Sequence, residues 1–250
     1  GASLLLTEVG VQVPPRAQHP PAEMRGGFCI PKATRRENPR GVTIRTMTLK
    51  IRPATEGDVN QIVDILTDAF ETDPAFRRIM QPLSDETKNL RKIFDLQLRH
   101  EYLPYGIVDV EFNEEGEMLG VALWNKPGKP ITFLSLLRYV PDYVRVFGKS
   151  FIAAVLRERR SEMLHPKFPH WYLYTLAVRP GHQGEGLGTT LLKHGMERAG
   201  ETPIYLEAST PDSAALYKRL GFVPLGEIPD DDDMPSELGM WHPGSMPERS

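Results

Sequence analysis

The sequence predicts a mixed α/β (α+β) protein with a central sheet flanked by helices, and three observations carry that prediction. The first is the run Trp171 to Val178, a near-continuous stretch of aromatic, β-branched and aliphatic residues too short for a typical helix, followed by a turn, three glycines and a helical pattern. The second is a further strand-then-helix pair, Pro203 to Ala208 and Ser213 to Leu220. The third is the strand, two helices and hairpin that precede both, starting at Leu49.

Taken in chain order, residues 1–46 contain seven Lys or Arg against three acidic residues and are rich in Pro, Gly and Arg without sustained periodicity. They are expected to be an extended or disordered leader, partly vector-derived at Gly1-Ala2-Ser3, with Met47 able to serve as a start. Residues 47–250 are expected to form one domain. Leu49 to Arg52 reads as its first strand, and Thr55 with Asp58 has the spacing of a capping box. Val59, Ile62, Val63, Leu66 and Phe70 then share one helical face. A second helix is expected from Asp85 to about Tyr102, and Gly106 to Phe112 with Met118 to Asn125 form a hairpin around Asn113 to Gly116. Residues 127–169 read as a helical insertion with apolar residues at Phe133, Leu136, Leu137 and Val140, then Val144, Phe147, Phe151, Ile152 and Val155. Pro141 divides its two pieces. The insertion either packs over an edge or end of the sheet, or acts as a lid that brings Tyr139, Tyr143 and Phe147 to a substrate.

After the strand Trp171 to Val178, Arg179-Pro180-Gly181 forces a reversal, because Pro donates nothing to a ladder and Pro-Gly is strong turn punctuation. Gly184, Gly186 and Gly188 follow, and Leu187, Leu191, Leu192 and Met196 recur at helical spacing. Glycine lets the backbone approach a ligand closely, and the free N–H groups of a helix start lie beside it. The combination is an anion site. Leu187 and Gly188 stand where a triphosphate loop needs Lys and a hydroxyl, and Thr189 replaces the third glycine of a dinucleotide fingerprint. Gln183, Gly186 and Gly188 instead make Q-x-x-G-x-G directly after the strand and turn.

At these residues the sequence resembles the GNAT superfamily of acetyl-CoA-dependent N-acetyltransferases. The string ALYKRLGF, Ala215 to Phe222, adds to the likeness, which is nearest to the puromycin N-acetyltransferase-like branch through the Q-G-x-G-L-G loop, Leu206-Glu207 and the Y-x-R-L-G-F helix end. The resemblance implies a GNAT-type, largely antiparallel mixed sheet and acetyl-CoA as cosubstrate. It places the pantetheine arm along Leu176, Ala177 and Val178, and the pyrophosphate on the backbone of Gln183, Gly184, Glu185, Gly186, Leu187, Gly188 and Thr189.

Acyl transfer to an amine needs an uncharged nucleophile, a donor to the developing oxyanion and a proton for the leaving thiolate. The resemblance offers a backbone N–H near Leu176 to Val178 as that donor and Tyr217 as the acid; otherwise Tyr217 fills a helix face beside Ala214 and Leu220. Glu207 lies in an apolar strand where burial would raise its pKa into a useful basic range, or it faces outward beside a surface cation. Tyr172, Tyr174 and His170 are lesser candidates for the base. Trp124, Tyr143, Tyr172 and Trp241 are expected to line the acceptor pocket, with packing as the plain alternative. Asp230 to Asp233 either attract a cationic substrate or form a solvated loop.

Composition narrows the classes. A net charge of -3 argues against a general nucleic-acid binder, and no apolar stretch is long enough to span a bilayer. Cys29 is the sole cysteine, so neither an intrachain disulfide nor a cysteine zinc site is expected, and no other metal motif or hydrolase elbow occurs. The expectation is a cytoplasmic monomer or homodimer that acetylates a small-molecule primary amine by direct attack in a ternary complex. A peptide or protein amine, or a silent CoA-binding sensor, is the alternative.

Overall fold

The structure, a computed structural model, describes residues 49–71, 86–128, 137–148, 151–152, 155, 165–228 and 237–244. These build a seven-stranded sheet in the order β1-β2-β3-β4-β5-β7-β6, with β1 Lys50–Pro53, β2 Ile107–Phe112, β3 Met118–Asn125, β4 Trp171–Val178, β5 Ile204–Ala208, β6 Val223–Ile228 and β7 Glu237–His242. Every pairing is antiparallel except β4 with β5. The mixed, largely antiparallel sheet with flanking helices is the class read from the sequence. The expectations for residues 1–46, and for Asp230 to Asp233, lie outside the described residues.

Two apolar layers sandwich the sheet. On one face pack α1, Val59–Phe70, and α2, Glu86–Gln97. The face foreseen for α1 is the one buried, and Ile65 joins it. At its entry the Asp58 carboxylate accepts the Thr55 N–H at 2.7 Å and hydroxyl at 2.8 Å, and both outer nitrogens of Arg52 at 2.8 and 2.9 Å. That guanidinium holds the Asp58 carboxyl well below the usual carboxylate range, with the Thr55 bonds adding to it. The strand end and the helix start are thereby clamped to each other.

The second helix does not run unbroken to Tyr102. It widens into a π turn over Leu98–Tyr102, where the Leu103 N–H reaches back to the Leu98 carbonyl, before a last α turn at Leu103–Tyr105. Pro104 has no N–H to contribute, so leaving the α ladder here costs little. In the insertion a 3₁₀ turn, Leu137–Tyr139, leads into α3, Val140–Phe147. Pro141 opens this helix instead of dividing it, since the first turn makes no use of its missing donor. The helix lies against α2. Its Tyr143 hydroxyl donates to the Glu101 carboxylate, and Phe147 is fully buried.

The opposite face carries α4, Leu187–Ala199, and α5, Pro211–Arg219. Thr210 caps α5 by accepting the Ser213 N–H at 3.2 Å, so this helix begins two residues before the point read from the sequence. The Asp109 carboxylate of β2 is buried beneath α4, where Arg198 grips it through two nitrogens at 2.8 Å each.

Candidate active site

The parallel pairing of β4 and β5 is short: Trp171, Tyr172 and Leu173 match Ile204, Tyr205 and Leu206, and there it stops. On its other side β4 stays paired with β3 to the end, Leu176 with Ala122, Ala177 with Val121 and Val178 with Gly120. The register slips where Leu123 meets Thr175 and Trp124 meets Leu173, leaving Tyr174 as the extra residue of a bulge. A bulge bends its strand. The two strands therefore fork, and among the described residues no strand pairs with Tyr174 to Val178 on the β5 side.

At the open end of β4 the chain turns through the glycine loop. The Arg179 N–H and Nε hold the carbonyls of Leu119 and Met118 at 2.8 and 2.9 Å, which fixes where the strand ends. Gly184 and Gly186 take φ of +84° and +89°, the left-handed region that side chains resist, and Gly186 is the N-cap of α4. Gly188 differs from them. A Cβ there would meet Leu176 Cδ2 at 3.6 Å and Val178 Cγ2 at 3.7 Å, ordinary contacts, so the fold itself does not demand glycine at 188. The Leu187 side chain is buried, and the Gln183 side-chain oxygen Oε1 accepts the Gly181 N–H at 3.0 Å. What the loop offers a ligand is thus its backbone: first-turn N–H groups of a thirteen-residue helix, whose dipole favours an anion.

Glu207 is the first β5 residue past the last paired one, and it stands at the crotch of the fork. Its side chain points to the α1/α2 face, opposite to Leu206 and Ala208, and the residue is buried. The Tyr205 hydroxyl donates to Oε1 at 3.0 Å and the Tyr172 hydroxyl to Oε2 at 3.3 Å. His165 brings Nε2 to 3.3 Å from Oε1, its ring 4.6 Å from that of Tyr172 and 4.7 Å from that of Tyr205. Burial first, and then the Glu207 charge, pushes both phenols well above their ordinary pKa, so they act here only as donors. His170, whose pKa burial lowers, lies 5.8 Å from Tyr205 and from Trp241.

Tyr217 occupies the other face. It is fully buried beneath α5 and packs 5.7 Å from Phe222; its hydroxyl has no hydrogen-bond partner among the described residues. Burial raises its pKa well above 10, so the phenol keeps its proton at neutral pH.

Of the four residues expected to line an acceptor pocket, the structure brings Tyr172 and Trp241 to the Glu207 side, Trp241 by pairing across from Tyr205. Trp124 is elsewhere. It is fully buried under α4, where a Cβ on Gly195 would lie 2.1 Å from its ring, and Arg198 stands over it at 5.5 Å. Trp124 thus packs on the α4 face, opposite to Glu207. Tyr143 is on the same face as Glu207 but is sealed by its bond to Glu101, and Tyr139 stacks on His100 at 3.6 Å. Sequence reading missed Tyr205 and His165. The period of two that puts Tyr205 beside Glu207 was available, whereas His165 sits in an irregular stretch with no local signal.

Among the described residues no group of His, Cys, Asp and Glu could hold a metal ion, and no helix is long and apolar enough to cross a membrane. A solved structure named as the histone acetyltransferase HPA2 and related acetyltransferase of Corynebacterium glutamicum is 45% identical with a TM-score of 0.67, over 80% of this chain and 99% of that one. An uncharacterised N-acetyltransferase of Schizosaccharomyces pombe is 26% identical over 205 residues, 74% of this chain and 80% of the relative. Arylalkylamine N-acetyltransferase 2 of Aedes aegypti shares the fold at 16% identity and a TM-score of 0.51, covering 78% of this chain and 97% of its own. The family model for acetyltransferases of the GNAT family matches residues 60–222, which take in the glycine loop, Glu207 and Tyr217, and the chain belongs to that family.

Proposed function

We propose that this acetyltransferase moves the acetyl group of acetyl-CoA to the primary amine of a small molecule by direct attack in a ternary complex. The observation that carries the reading is the fork: an unpaired strand edge that ends in an amide-lined helix start, with a buried carboxylate at its crotch. The free edge at Tyr174 to Val178 suits an extended, amide-bearing arm that docks as an added strand. The backbone of Gln183 to Thr189 suits the pyrophosphate of the same molecule.

Within this reading the roles follow from chemistry. A backbone N–H of Leu176, Ala177 or Val178 donates to the thioester carbonyl oxygen as charge develops there. Tyr217, protonated at neutral pH and with no hydrogen-bond partner for its hydroxyl among the described residues, gives its proton to the leaving thiolate. Glu207 draws the ammonium proton, directly or through water, and Tyr172 and Trp241 line the acceptor; Trp124 and Tyr143 have no part in it. Cys29 is the only cysteine and precedes the domain, so the acceptor amine, and not a thiol of the chain, is the attacking group.

Protein or peptide amines are the second reading, favoured by the name of the Corynebacterium relative. One experiment separates them. Thiol release from acetyl-CoA is followed with the full chain against compact alkyl and aryl amines, puromycin-like aminonucleosides and histone-tail peptides. Turnover with compact amines is expected; turnover with peptides alone would transfer the assignment to the second reading, and binding of acetyl-CoA without turnover on any amine would leave a CoA-binding module.

A further inference from the structure

We infer that His165 is the group that takes the acceptor's ammonium proton, with Glu207 as the carboxylate that orients and charges it. This rests on the amine-transfer reading and moves the proton-accepting step, given there to Glu207, onto His165.

Glu207 by itself is poorly equipped to pass a proton on. Both of its oxygens are already occupied as acceptors of phenol hydrogens, from Tyr205 and Tyr172. Its side chain is 1% exposed, so a proton it gained would have no path to water. His165 has what Glu207 lacks. Its Nε2 is buried, has no hydrogen-bond partner among the described residues, and lies 3.3 Å from Glu207 Oε1. Its side chain is 14% exposed, so His165 touches solvent that the Glu207 side chain does not reach. An imidazole can therefore accept a proton on the inner nitrogen and lose one to solvent.

The box around this pair suits a cationic amine. The rings of Tyr172, Tyr205 and His170 lie 4.6, 4.7 and 6.2 Å from that of His165, and Trp241 and Phe168 close the rim 5.6 Å from each other. Aromatic faces and one carboxylate attract an ammonium ion. Bound there, R–NH3+ donates toward Nε2 and Glu207 Oε1 together. One proton passes to Nε2, and the imidazolium so formed pairs with Glu207. The amine lone pair then forms the C–N bond, the C–S bond breaks as Tyr217 gives its proton to the thiolate, and the second nitrogen proton restores the phenol of Tyr217. The sum is amide, free thiol and one proton released through His165 to solvent.

The test is kcat and KM for an amine turned over by the wild type, with and without added imidazole, compared with His165→Gln and Glu207→Gln. Acetyl-CoA affinity by calorimetry and the far-UV spectrum report on folding. His165→Gln should retain acetyl-CoA binding, lose about 10²-fold or more in kcat, and recover rate with added imidazole. Glu207→Gln should lose less in kcat and gain nothing from added imidazole, because its own imidazole is still in place. A His165→Gln enzyme that keeps its rate would overturn the inference and return the base role to Glu207. One that is faster, with a lower KM for amine, would overturn it too, since the imidazole would then merely occupy the amine's seat. A wild type that binds acetyl-CoA yet acetylates no amine sinks the transfer reading itself.

Discussion

Tyr217 and Glu207 stand on opposite faces of the sheet, the phenol beneath α5 and the carboxylate on the α1/α2 side at the point where β4 and β5 part. A reaction centre at the fork would see an acid from one face and a base from the other. That separation is useful chemistry, because groups of opposing function do not neutralise each other across a dividing sheet.

Tyr217→Phe tests the acid face in a way that stability cannot confuse. The hydroxyl is buried without a hydrogen-bond partner among the described residues, so its removal should leave Tm unchanged or slightly raised. Turnover should fall by roughly 10²-fold while acetyl-CoA affinity holds. Full activity in this variant removes the phenol from the mechanism.

The glycine loop permits a sharper contrast. Gly186→Ala forces a Cβ into φ of +89° and should cost about 1–2 kcal/mol in unfolding free energy as well as acetyl-CoA affinity. Gly188→Val meets only ordinary contacts with Leu176 and Val178 for its Cβ, so any loss of affinity should greatly exceed the loss of stability. Calorimetry and urea melts on both variants read this directly; equal losses of affinity and stability at 188 would show that glycine there serves the fold.

The same contrast explains what could be read from the chain. Strand β4, the turn at Pro180 and the start of α4 are written locally, in apolar runs and glycine placement, and both hairpin strands emerge at the residues where periodicity puts them. The π turn depends on the missing N–H of Pro104 within an otherwise helical pattern, and the period does not reveal it. Trp124 and Trp241 look alike in a sequence. Only the sheet pairing separates them, one opposite Leu173 under a helix and the other opposite Tyr205 at the fork. The environment of Glu207 is non-local in the same sense, since one of its partners is Tyr172 on a different strand and another is His165 in a stretch without periodicity.

Gly195 should be intolerant of any side chain because Trp124 fills its place, the nearest ring atom being 2.1 Å from a notional Cβ. Gly195→Ala should cost about 1–3 kcal/mol by overpacking. Trp124→Leu in the same chain should recover part of that loss, a coupling that a double-mutant cycle measures. If Trp124→Leu alone changes the KM for the acceptor amine and not stability, the indole belongs to the pocket after all.

Glu111 makes the fold itself pH-dependent. It lies on β2 beneath α4, fully buried, and neither carboxyl oxygen has a hydrogen-bond partner among the described residues; its Oε2 lies 3.5 Å from where a Cβ on Gly120 would stand, beside Leu191. Burial pushes its pKa up to about 7 from 4.5. Between those two values the native state holds a proton that the unfolded chain has released, so stability falls as pH rises through that interval and levels off above it. The shift corresponds to about 3 kcal/mol at most. Glu111→Gln cannot ionise and should lack this component. Urea denaturation at pH 5 and pH 8 should therefore show the wild type losing stability relative to the variant on going to the higher pH. A wild-type-minus-variant difference that is the same at both would mean that Glu111 does not titrate in this interval, and the buried carboxyl would then need a partner that the described residues do not supply.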